Sequence, residues 1–172
     1  FVVERLMPAE DTVEETNDVP EDIVSDIRAL GLYGLSIPEE YGGIGVSMAQ
    51  EIELIYLISH TSFAFRSLFG TNVGIGSQGI LIDGTEEQKR YWLPKFASGE
   101  ITASFALTEP DAGSDAAAIR TSATQDGDCY VLRGTKRFIT NANRAGAFTV
   151  MARTGGNGAR GISAFIVPAD AK

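Results

Sequence analysis

The sequence predicts an α+β protein, helical first and β afterwards. Up to Gly99 the apolar residues recur at helical spacing, and the segments open on helix-capping residues. After Gly99 the period falls to two: Ile101, Ala103, Phe105 and Leu107 alternate with Thr102, Ser104 and Ala106. Helices and strands do not alternate along the chain, which argues against βαβ units. The boundary falls near residue 101, giving one domain over residues 1–100 and a second over 101–172.

The elements follow in order. Asp18 and Pro20 open a helix with Ile23, Ile27 and Leu30 at i, i+4 and i+7, and Gly31 closes it as a left-handed cap. Residues 38–45 form a polar loop. Ser47 and Gln50 are a capping box for the next helix, with Glu51 and Glu53 at its positive end. Ile52, Leu54, Ile55, Tyr56, Leu57 and Ile58 wrap all its faces, so it is expected to be central and buried. Thr85 and Gln88 open another helix, which Pro94 is expected to break or kink and Gly99 to end. Its Tyr91, Trp92 and Phe96 read as core and inter-subunit packing. In the second domain, strands are expected at 119–124 and 130–133 around the turn Gln-Asp-Gly-Asp. Further strands are expected at 135–140, 147–153 and 162–167, with a flexible loop at 154–161.

Bulk composition narrows the partners. Of 172 residues, 44% are hydrophobic and 22% charged, as in ordinary folded proteins, and no apolar run is long enough to cross a bilayer. The net charge of −9 divides into −11 over residues 1–54 and +2 over the rest. The acidic front argues against nucleic acid and anionic membrane, and the remainder suits an anionic ligand better. One cysteine, Cys129, excludes an internal disulfide framework and favours a reducing compartment; it is expected to be a buried or half-buried thiol. The lone His60 excludes a multi-histidine metal site and is expected to be packed and hydrogen-bonded. There is no signal-peptide pattern, and the chain starts at Phe1, as a piece of a longer polypeptide does.

Gly74, Gly76 and Gly79 spell G-x-G-x-x-G, but no strand precedes them and the region is helical. The dinucleotide fingerprint needs a strand before it and a helix after it. These glycines are therefore read as a helix break or a close packing point. Gly42-Gly-Ile-Gly-Val-Ser47 lacks the Gly-Lys-Ser/Thr of a phosphate loop.

The segment with chemistry is Phe105-Ala-Leu-Thr-Glu-Pro-Asp-Ala-Gly-Ser-Asp115. A strand ends at Leu107, a turn holds Pro110, Gly113 permits close backbone approach, and Thr108 and Ser114 offer hydroxyls. It resembles the signature of the acyl-CoA dehydrogenases. Lys136-Arg-Phe-Ile-Thr-Asn-Ala142 resembles that family's second flavin segment. The stretches 38–45, 84–89, 91–94 and 99–100 are similar to its helical domain, in order and spacing.

The resemblance implies an incomplete antiparallel β-barrel for the second domain and FAD as cofactor. Phe105, Leu107, Thr108, Gly113 and Ser114 would line the flavin, Ser114 also touching the substrate's pantetheine. Phe138, Ile139 and Thr140 would form a second strip, with Phe138 on the ring face, where many members carry Trp, and Thr140 near N5. It further implies α,β-dehydrogenation of an acyl-CoA substrate, electron-transfer flavoprotein as acceptor, and a homodimer or homotetramer in a bacterial cytoplasm or mitochondrial matrix. The general base, a glutamate, is expected beyond Lys172, so no catalytic residue is assigned in this chain and the segment alone is expected to be inactive. Two other readings of the residues are an oxidase or monooxygenase on the same scaffold and a non-catalytic homologue.

Overall fold

The computed structural model describes residues 1–171. It divides into two compact units, Phe1–Thr102 and the residues from Ala103 onward. The first unit is helical: α1 (Glu10–Thr16), α2 (Glu21–Ala29), α3 (Met48–Ile58), α4 (Phe63–Val73), α5 (Gln78–Asp83) and α6 (Glu86–Ala97). A short π-helical turn, Val2–Leu6, precedes α1. The core is built from Leu6, Ile23, Ile27, Leu35, Phe65 and Phe69, each almost fully buried.

Several local signals that close within one turn were read correctly. Helix α2 begins one residue after Pro20 and gives way to Gly31 at φ +71°. At α3 the Ser47 hydroxyl accepts from the Gln50 amide, and the Gln50 side chain accepts from the Ser47 amide at 2.9 Å. Thr85 and Gln88 do the same at α6. Gly99, at φ +70°, follows the last turn of α6. Gly74 and Gly76 separate α4, which Gly74 caps, from α5, whose second residue is Gly79. Loop 38–45 folds back on the chain before it, with the Ile44 amide donating to Gly34 and the Gly45 amide to Ile37. A Cβ at Gly43 would collide with the Ile37 carbonyl.

Several expectations are corrected. Pro94 does not break α6, which runs through to Ala97. Helix α3 is not buried: Met48, Ile52, Tyr56 and Leu57 are exposed and only Ile58 is buried. An all-apolar helix needs neighbours on every side, and the described residues supply them on one. His60 is exposed, its ring edge-on to that of Tyr56 with centroids 5.1 Å apart, and not a packed core histidine. Cys129 is exposed on a hairpin.

The second unit is a sheet of β1 (Thr102–Ala106), β2 (Ser122–Asp126), β3 (Cys129–Arg133), β4 (Ala145–Arg153) and β5 (Ile162–Pro168). The order is β1-β4-β2-β3, and β5 also pairs with β4. β2 and β3 form the expected hairpin, with Asp126 opposite Cys129 and Gly127 at φ +60° in the turn. β4 and β5 are antiparallel from Ala147↔Pro168 to Arg153↔Ile162. The pairing of β2 with β4, parallel at Ser122↔Arg153, departs from an antiparallel barrel. The sheet is thus mixed and open. The strand expected at 135–140 is not formed either. Phe138 and Asn141 adopt left-handed backbone, at φ +56° and +61°, which an extended strand cannot accommodate.

Candidate functional site

The first segment leaves β1 and turns at once. The Glu109 amide donates to the Ala112 carbonyl at 2.9 Å, and the Ala112 amide returns a bond to Glu109. Pro110 and Asp111 are therefore at the tip of a tight turn, and Gly113 and Ser114 follow it on the surface. A Cβ at Gly113 would meet nothing within 4 Å, so the backbone there lies open to a ligand. On β1 the small Ala103, Ser104 and Ala106 are buried, whereas Phe105 and Leu107 are half-buried. Phe105 and Leu107 line an apolar hollow of about 280 Å³ with Met151 and Ile162.

The second segment, 136–140, lies directly against the first. The Arg137 amide donates to the Thr108 carbonyl at 2.8 Å. The Lys136 ammonium donates to the Leu107 carbonyl at 2.9 Å and to the Glu109 carboxylate at 2.8 Å. The Ser104 hydroxyl donates to the Thr140 carbonyl at 2.7 Å. Phe105, Leu107 and Thr108 are thereby brought beside Phe138, Ile139 and Thr140. Gly113 and Ser114 have no hydrogen bond to the second segment and stand beyond the turn.

Phe138 is 78% exposed, with the Arg137 guanidinium 4.5 Å from its ring centroid. A large aromatic held outward on left-handed backbone is strained and unburied at once, a combination found where a ligand completes the packing. The hydroxyls of Thr108, Ser114 and Thr140 have no hydrogen-bond partner among the described residues. Free hydroxyls, an open glycine and an exposed aromatic face suit a flat, polar-edged cofactor with a phosphate tail.

Sequence reasoning missed the group that ties the site together. Glu109 lies in the turn after β1, yet its side chain is 7% exposed and pairs with Lys136, itself 12% exposed. The Arg120 amide donates to Glu109 at 2.6 Å and the Thr121 amide at 2.9 Å. Burial pushes this carboxyl up, but the hydrogen bonds from Lys136, Thr121 and Arg120 outweigh it and hold it at about 2. A carboxylate so fully engaged is a poor general base at neutral pH. The available signal was an acid and a base placed beside the two proposed cofactor segments.

Comparison with known proteins places the chain. Its residues 1–100 match the model of the acyl-CoA dehydrogenase N-terminal domain, and 104–172 that of the acyl-CoA dehydrogenase middle domain. The chain belongs to the acyl-CoA dehydrogenase family. An acyl-CoA dehydrogenase of Bacillus subtilis (strain 168) is 39% identical over 168 residues, 97% of this chain and 44% of the relative. The very long-chain specific acyl-CoA dehydrogenase of Macaca fascicularis, mitochondrial, is 41% identical over 165 residues, 90% of this chain and 25% of the relative. The structure of a Bacillus anthracis acyl-CoA dehydrogenase complexed with FAD superposes with TM-score 0.84 at 38% identity, covering 98% of this chain and 29% of that one. The chain thus spans less than half the length of these relatives. No helix among the described residues is long and apolar enough to cross a membrane.

Proposed function

We propose that the chain supplies the helical part and the first cofactor wall of an FAD-dependent enzyme that introduces an α,β double bond into acyl-CoA thioesters. The observation that carries this is the stitching of 105–108 to 136–140 through Lys136, Arg137 and Ser104. Bound there, FAD would accept the hydride that leaves the substrate's Cβ. In this reading Phe138 gives the ring an apolar face, and Thr108 and Thr140 direct hydroxyls to its polar edge. Gly113 and Ser114 take the pyrophosphate on open backbone, and Ser114 also meets the pantetheine. Hydrogen bonds aimed at the ring edge favour the negative charge that reduction brings. The base that takes the Cα proton is assigned to no residue described here; Glu109 is excluded by its three engaged bonds. The proposal extends to electron-transfer flavoprotein as acceptor, to a homodimer or homotetramer, and to a bacterial cytoplasm or mitochondrial matrix. The relatives named above support the acyl-CoA substrate and the FAD cofactor.

The test is anaerobic spectroscopy of the full-length protein. Flavin absorbance that bleaches on adding saturated acyl-CoA, with enoyl-CoA as product, is the expected result. A protein that takes up no flavin, or a bound flavin that no acyl-CoA bleaches, contradicts the proposal.

A further inference from the structure

Two segments that do not form a ladder still meet in one register, and something must choose it. Among the described residues, the single backbone hydrogen bond between 107–109 and 136–138 runs from the Arg137 amide to the Thr108 carbonyl. One such bond can be remade after a slip of a residue or two, because every residue offers the same carbonyl. In a regular sheet the alternation of side chains pins the register. Here 136–140 is not a strand, so that device is absent.

The side chains of Glu109 and Lys136 supply what the ladder does not. Glu109 cannot follow a slipping partner, because the amides of Arg120 and Thr121 hold its two oxygens on the other side. Lys136 cannot find another partner without leaving the Leu107 carbonyl. A shift of one residue, about 3.3 Å along an extended chain, breaks the pair and leaves two nearly buried charges uncompensated. We propose that Glu109 and Lys136 are a positioning pair: their ion pair sets the register of 136–140 against the strand end at Leu107 and Thr108, and so sets the shape of the flavin wall. The cofactor half of this rests on the function proposed above; the register half does not.

The test is amide hydrogen exchange on the flavin-free protein, wild type against Lys136→Met, Lys136→Arg and Glu109→Gln. In Lys136→Met the Arg137 amide should exchange faster by about tenfold or more, while the Val150 and Ala152 amides in β4 keep their protection. Lys136→Arg, which keeps the charge, should restore most of the protection at Arg137. An unchanged Arg137 amide in Lys136→Met overturns the register claim. So does a rise shared equally by β4, which would mark the pair as general scaffold.

The flavin potential is the second readout. Glu109→Gln leaves a positive charge uncompensated and should raise it; Lys136→Met leaves a negative one and should lower it. Potentials unmoved in both variants overturn the cofactor half. A wild type that binds no FAD overturns the proposed function instead, and the exchange result still decides the register.

Discussion

Glu109 shows how much a single side chain can carry at this site. Its carboxyl ordinarily titrates near 4.5 and is held at about 2 in the folded chain. A depressed carboxylate contributes stability that is present above its unfolded value and lost as pH falls toward the folded one. Wild-type protein should therefore lose on the order of 2 kcal/mol between about pH 4.5 and 2 from this group. Glu109→Gln should flatten that limb when urea midpoints are compared across the range, and an identical acid limb in both proteins would contradict the assignment. The residues proposed from the resemblance, Phe105 to Ser114 and Phe138 to Thr140, were singled out because they lie in long, specific motifs. Glu109 and Lys136 stand in the same motifs, but their pairing joins positions far apart in sequence. Spacing along the chain carries no trace of that.

The same division appears among the elements. Caps at Ser47 and Thr85 and the left-handed stop at Gly31 were legible, since each is settled by residues within one turn. Ser47→Ala should cost about 1 kcal/mol, and Gly31→Ala about as much from backbone strain alone, with a Cβ also 3.0 Å from Ile44. Each should lower the melting temperature by about 2–4 °C in a chain of this size. Unchanged melting in both variants would undo the cap assignments. What failed is what depends on neighbours. Helix α3 is as apolar as expected, but apolarity does not say what lies beside it. Residues 135–140 have a strand's composition, yet tethers from Lys136, Arg137 and Thr140 coincide with a left-handed Phe138.

At the scale of the whole molecule, the change from helical to alternating periodicity foretold the order of architectures, helical then β. The parallel contact of β2 with β4 was not foretold, because strand order arises from crossovers that no local pattern records. The family assignment covers nearly all the chain, while the chain covers 44% and 25% of the two relatives compared. The central claim concerns one surface: the two segments stitched at Thr108 and Arg137 face FAD. Titrating FAD into isotope-labelled protein and following the backbone amides tests it directly. The amides of Thr108, Gly113, Ser114, Phe138, Ile139 and Thr140 should move first and furthest. Saturating FAD that leaves them in place, or moves only amides of α1 to α6, would contradict it.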